Sequence, residues 1–276
     1  MSKEKDQNYE VMQEDLEEVM RKYDRESNVR VWTGKPTIAV KAILIGFSVF
    51  CIWVTLFATF LEEIRLTSFM GLIILLGFLT YPAKKGEQKV NYIPWYDIVA
   101  MVLGTGSFLY YTFSAEQIIQ QGTRFQAYQI VIAIIGIAAL LEVTRRSVGW
   151  PILIVALFFI CYAIVYGLTN PAIIGRLRYL VRNLFYDKTG ILSTPVNVCS
   201  KYIVVFIIFG AFLERTGISD FFINMANCAA GRFAGGPAKV AVISSALCGM
   251  VSGSSVGNTV TTGSVTIPMM KETGYK

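Results

Sequence analysis

The chain has 276 residues, 54% of them hydrophobic and 16% charged, with a mean hydropathy of +0.53 and a formal net charge of +6. That balance argues against one compact soluble domain and matches a polytopic membrane protein. Histidine is absent altogether, which removes the commonest general base, proton relay and zinc ligand, so no enzyme and no bound cofactor is expected.

The charge is unevenly spread. Residues 1–36 hold seven Lys/Arg against nine Asp/Glu, while the remainder holds eighteen basic and ten acidic side chains, mostly between oily segments. Basic loops of this kind are retained on the cytoplasmic side of a membrane. Nothing points to nucleic acid as a partner. The five cysteines (Cys51, Cys161, Cys199, Cys228, Cys248) form no C-x-x-C pair and read as small core residues.

The first 36 residues lack the apolar core of a signal peptide. Tyr9, Met12, Leu16, Val19, Met20 and Tyr23 fall at helical spacing among acidic residues, which predicts a surface helix over residues 8–26. It either docks on another part of the same complex or is a solvated cytoplasmic helix.

Spans follow. A hydrocarbon core about 30 Å thick needs roughly 20 apolar residues. The first candidate is 37–61, closed by Glu62, Glu63 and Arg65; the second is 66–81, ending at Pro82 before Lys84, Lys85 and Lys89. The third is 94–114, opened by Trp95 and Tyr96 at the interface, and the fourth is 128–143, followed by Arg145 and Arg146. The fifth is 149–168, with Pro151 in its first turn, and the sixth is 196–213. The loops after the second and fourth candidates are the more basic, which places the N-terminus in the cytoplasm. The loop after the fifth dissents with Arg176, Arg178, Arg182 and Lys188. Its apolar residues at 173, 177, 180, 181 and 184 give one oily helical face, read as an interfacial helix lying along the bilayer. Asp97 is expected to be solvated beside the interfacial aromatics. Glu142, Arg145, Arg146, Glu214, Arg215, Lys41 and Lys201 read as anchors or snorkelling groups at span ends.

Beyond residue 220 the pattern changes. Between Ser252 and Thr266, nine of fifteen residues are Ser, Thr or Asn. Gly249, Gly253 and Gly257 form overlapping G-x-x-x-G steps, which helix packing alone could explain. Yet the apolar pieces on either side, 239–251 and 265–270, are each too short to cross, and Pro237 and Pro268 bracket them. Together these features predict a re-entrant hairpin over 237–270: a helix in, an unwound turn at mid-depth, and a helix back. Such a turn survives in a membrane only when buried in protein or lining a water-filled cavity. Its carbonyl and hydroxyl oxygens suit a hard cation such as sodium, and the N–H groups of a half-helix suit an anion.

"SGSSVGNTVTTGSVTIPMMKETGY", residues 252–275, resembles the signature hairpin of the large membrane subunit of TRAP transporters, the tripartite ATP-independent periplasmic family, most closely in fused permeases that work with TAXI-type binding proteins. "VGWPI" at 148–152 and "FIIFGAFLERTGISD" at 206–220 are similar to the opening spans of that subunit. Residues 37–144 then stand where the family has its small four-span subunit, and 145–276 begin the large one.

The resemblance implies an all-α permease of the bacterial or archaeal cytoplasmic membrane, importing small organic acids such as dicarboxylates on a sodium or proton gradient by an elevator movement. A periplasmic TAXI-type binding protein would deliver the substrate. Ser252, Gly253, Ser254 and Ser255 would form the turn, Gly257, Asn258, Thr261 and Thr262 would line the second arm, and sodium would sit at Ser252, Gly253, Ser254 and Asn258. Pro268 would end that arm, with Lys271 and Tyr275 at the cytoplasmic surface. The family's large subunit has a second, inverted repeat, whereas this chain stops at Lys276, so a longer permease or a partner chain is expected to supply the rest and no transport is expected of these residues alone. Two readings of another class stay open. A membrane enzyme would need a serine such as Ser254 or Ser255 with a lysine beside it, which the hairpin lacks; a non-transporting scaffold or receptor subunit would tolerate apolar substitutions there.

Overall fold

The structure, a computed structural model, describes residues 29–275 apart from 31, 58, 60, 84–90, 123–124, 167–172 and 252–254. The expected surface helix over 8–26 therefore lies outside the described residues. Every regular element among the described residues is helical. Five helices are long and apolar enough to cross a membrane, and a sixth is apolar but shorter. The protein is an all-α, polytopic membrane protein. Contacts divide it into two units, Arg25–Tyr202 and one built on Ile203–Lys276.

In the first unit, α1 (Lys35–Leu56) stops short of the expected boundary, because Glu62 and Glu63 open α2 (Glu62–Thr80) rather than close α1. Acidic side chains in a first turn favour the positive end of the helix dipole. Then come α3 (Trp95–Gln121), α4 (Ala127–Ser147) and α5 (Trp150–Tyr166), the last only 17 residues or about 25 Å at 1.5 Å per residue. A capping box at Gln126 and Gln129 starts α4. Helix α1 buries only Cys51 and Val54, while Ile38, Ile45 and Leu56 are exposed. Apolar groups laid open in this way fit a lipid surround.

The core forms where α2, α3 and α4 meet. Leu66, Met70, Ile74 and Phe78 repeat every fourth residue along α2, and they pack with Phe108, Tyr111, Ala115 and Ile118 of α3 and Ala133, Ala139 and Val143 of α4. Missing side chains permit the approach: a Cβ on Gly104 would stand 2.5 Å from that of Ala139. Thr112 donates to Thr67 across α2 and α3 at 2.9 Å.

A helix stands over the stretch expected to be helical, α6 (Ile173–Phe185), and its oily face is divided. On that face Val181 is buried in the core while Leu177 remains exposed; Phe185, beyond the face, is buried too, its ring 4.8 Å from that of Phe108. Tyr186 explains the insertion. Its hydroxyl donates to the Gln129 carbonyl at 2.9 Å, its own carbonyl accepts from Tyr111, and burial pushes its phenol up from its ordinary pKa. Lys188 pairs with Glu63 at 2.9 Å and Glu62 at 3.3 Å, and the Glu63 hydrogen bond raises its pKa. One of that loop's basic residues, Lys188, is thus occupied with the bundle.

Asp97 is not solvated. It is fully buried and paired with Arg30 and with Arg146, the latter at 2.7 Å. The sequence segment before α1 folds back along the bundle end: Arg30 donates from its backbone to Thr80 and from its side chain to Tyr92. Arg146 is correspondingly no surface anchor. Its guanidinium lies 4.7 Å from the Phe78 ring and reaches Glu142 at 2.8 Å, while Arg145 pairs with Glu142 in a more exposed position.

The chain passes into the second unit along α7, which begins as Thr194–Val198, takes a π-helical turn at Cys199–Ile203 and continues as Val204–Arg215. There follow α8 (Ile218–Ala230), α9 (Gly236–Gly249) and α10 (Ser255–Glu272). Gly236, Val240, Ser244 and Cys248 form a buried stripe at every fourth residue of α9, and Val240 packs on Ala226 and Ala230 of α8.

Candidate functional site

The two arms expected from the sequence are separate helices. Helix α9 opens at Gly235, whose φ of 73° few side chains tolerate, with Pro237 in its first turn where no N–H is needed. Its last turn tightens: the Met250 N–H donates to Leu247 and the Val251 N–H to Cys248, each three residues back. Helix α10 then starts at Ser255. Pro268 does not end it. The helix runs on to Glu272 through the proline, forgoing one backbone bond, and stops where Gly274 takes a φ of 93° and the Tyr275 N–H returns to the Met270 carbonyl.

Of the expected site residues, Ser252, Gly253 and Ser254 lie outside the described residues. Ser255 and Gly257 occupy the first turn of α10, which gives their backbone position alone. Asn258 and Thr262 come together: the Thr262 hydroxyl donates to the Asn258 carbonyl at 2.8 Å, and Thr266 repeats the pattern one turn on. Thr261 is half-buried, and its carbonyl accepts from Ser264.

Asn258 joins the arms. Its Nδ2 donates to the Ser245 carbonyl at 2.9 Å and approaches the Ser245 hydroxyl at 3.3 Å. A carbonyl only accepts, so the amide nitrogen must face α9 and the side-chain oxygen must face away. That oxygen, Oδ1, is buried and has no hydrogen-bond partner among the described residues. An unsatisfied buried acceptor costs about 1–3 kcal/mol, which a bound cation or donor would offset. A groove of about 440 Å³ lies between the arms, with Ser245, Thr259, Thr262 and Thr266 on its walls. Hydroxyls whose single proton is committed to a carbonyl four residues back offer only lone pairs outward.

The helix ends add direction. At the turn the carbonyl end of α9 carries partial negative charge and the N–H end of α10 partial positive charge. Such ends favour opposite charges, a cation near the last carbonyls of α9 and an anion near the first N–H groups of α10.

Residues 135–276 match the family model for the DctM component of the tripartite ATP-independent periplasmic transporters. The chain belongs to that family. The match starts inside α4 and takes in the whole hairpin. No curated protein and no solved structure matches the chain. As a DctM-family chain, the protein is a membrane component of a TRAP transporter, a family of transporters rather than enzymes, and membership implies a periplasmic binding protein as partner.

Sequence reasoning missed Ser245 and Thr266 in this DctM hairpin. Ser245 stands in a piece read as merely apolar; its signal was the pair Ser244–Ser245, the only hydroxyls in α9. Ser244 is buried and bonds its own helix, whereas Ser245 meets Asn258.

Proposed function

We propose that this chain is part of a cation-coupled secondary importer of small organic acids, dicarboxylate-like carboxylates delivered by a TAXI-type periplasmic binding protein, with the α9–α10 hairpin as its ion and substrate site. The chain fuses a small-subunit-like region to the start of the large subunit, sits in the cytoplasmic membrane with its N-terminus inside, and works with the remainder of the large subunit by an elevator movement.

The orphaned Oδ1 of Asn258 carries this reading. It is a carbonyl-type oxygen of the kind sodium prefers, aimed away from Ser245 and placed near the point where two helix ends converge. Ser252, Gly253 and Ser254 would complete the oxygens around the cation, and the first N–H groups of α10 would receive the substrate carboxylate. Thr261 and Thr262 would line the second arm.

Vesicles holding the full permease and its binding protein test it, with radiolabelled organic acid outside and sodium and proton gradients imposed separately. Accumulation driven by one of the two gradients is expected. Equal uptake with both gradients collapsed would contradict cation coupling.

A further inference from the structure

Helix α3 has 27 residues. At 1.5 Å per residue that is about 40 Å, enough to cross a hydrocarbon core of about 30 Å and carry its last turn into the headgroup layer opposite Trp95 and Tyr96. Around that last turn, at the end of the bundle away from the Asp97 clasp, lies a cavity of about 370 Å³ with Ile118, Ile119 and Phe125 on its apolar side. Ile119 is 48% exposed, so this side opens toward the surround. The other side carries four charges. Glu63 and Lys188 close on each other at 2.9 Å. Arg182 and Asp187 also line the cavity, and neither has an ion-pair partner among the described residues.

Arg182 is held in place without being neutralised. Its Nε and Nη2 donate to the Asn183 side-chain oxygen at 3.1 and 3.0 Å, and its guanidinium lies 5.2 Å from the Tyr179 ring, which leaves the Nη1 donors and the positive charge uncommitted among the described residues. Asp187 accepts from the Thr189 N–H at 3.3 Å through Oδ1, so Oδ2 keeps its lone pairs. We propose that this cavity binds the headgroup of a zwitterionic phospholipid bearing a primary ammonium: Arg182 receives the phosphate, Asp187 the ammonium, and an acyl chain leaves along Ile119. A guanidinium fork suits phosphate oxygens. A purely anionic headgroup would meet the Asp187 carboxylate with like charge, and a quaternary ammonium has no N–H to donate to it. The inference stands apart from the reading of the hairpin as an ion site.

Native mass spectrometry of the full permease tests it, with phosphatidylethanolamine, phosphatidylcholine and phosphatidylglycerol of equal chain length titrated in turn. The first is expected to bind about tenfold more tightly than the other two, the scale of one hydrogen bond to a charged group. Arg182→Gln is expected to lower that affinity about tenfold. Asp187→Asn should lower it too while raising the affinity for phosphatidylglycerol, a reversal that a merely structural role would not give. Arg178→Gln, exposed on the same helix and outside the cavity lining, should leave all three unchanged. Soluble phosphoethanolamine at the same concentration should not displace the lipid; displacement would make the occupant a free zwitterion and overturn the lipid assignment. Equal retention of the three lipids by the wild type overturns the site whether or not the variants fold, and so does a phosphatidylethanolamine preference that survives both Arg182→Gln and Asp187→Asn. Should either variant fail to fold by size-exclusion chromatography, Ile119→Trp at the exposed mouth takes its place, and unchanged phosphatidylethanolamine binding there overturns the proposal.

Discussion

Replacing Asp97 with Ala is expected to destabilise the first unit by about 3–5 kcal/mol, the usual result of removing one member of a buried ion pair. Asp97 is wholly buried, and the Arg30 and Arg146 side chains around it are 6% and 3% exposed. Without the carboxylate, two guanidinium groups keep their desolvation cost and lose their counter-charge. Arg146 retains Glu142 at 2.8 Å, but that carboxylate is a third exposed and shared with Arg145. Among the described residues Arg30 then retains the neutral Tyr92 carbonyl as its side-chain partner. Arg146→Met should therefore cost less than Asp97→Ala, because Arg30 still neutralises Asp97. Glu142→Gln should cost about 1 kcal/mol or less, as for other solvated pairs. Thermal unfolding of the purified protein in detergent orders the three variants. An Asp97→Ala midpoint equal to wild type would show that the clasp adds nothing.

Asn258→Leu is expected to abolish uptake while leaving a folded protein. The substitution removes the Oδ1 oxygen and the two approaches to Ser245. The Ser245 carbonyl sits four residues before the end of α9, where the helix itself supplies a partner, so the stability loss should stay near the about 1–3 kcal/mol of a lost buried hydrogen bond. Transport should fall to background, because an apolar branch would stand where the proposed cation needs a lone pair. Ser254→Leu is expected to do the same. Ser264→Ala is the contrast: that hydroxyl is exposed and merely returns to the Thr261 carbonyl, so uptake should hold. If uptake survived both leucine variants, the scaffold reading would replace the transporter reading.

The spans and the hairpin arms were legible because both rest on local pattern. Apolar length marks a crossing helix, and Pro237, the glycines and the hydroxyl density mark a broken one. Charge placement was harder to read. Asp97 stands next to Trp95 and Tyr96 like any interfacial acid; its burial depends on Arg30, 67 residues earlier, folding back to the bundle end. Arg146 misleads in the same way, since a basic residue just past an apolar run looks like an anchor until a carboxylate on another helix meets it. The helix α6 shows a third kind of shortfall. Periodicity found its oily face, but only Phe185 and Tyr186, at and beyond its end, decide that half of this face enters the core. The family resemblance makes Pro268 the end of that arm, yet the stop belongs to Gly274, six residues on. At the site, Asn258 is legible for its type, while its partner Ser245 depends on which helices meet.

Reactivity of a single thiol at the turn tests the central claim most directly. In the full permease with every native cysteine replaced, Cys51, Cys161, Cys199, Cys228 and Cys248 among them, Ser254→Cys is expected to react with a membrane-impermeant thiol reagent, and the coupling cation with substrate is expected to protect it. A thiol that never reacts, or that reacts at the same rate with and without cation and substrate, would contradict a water-accessible ion site in the hairpin.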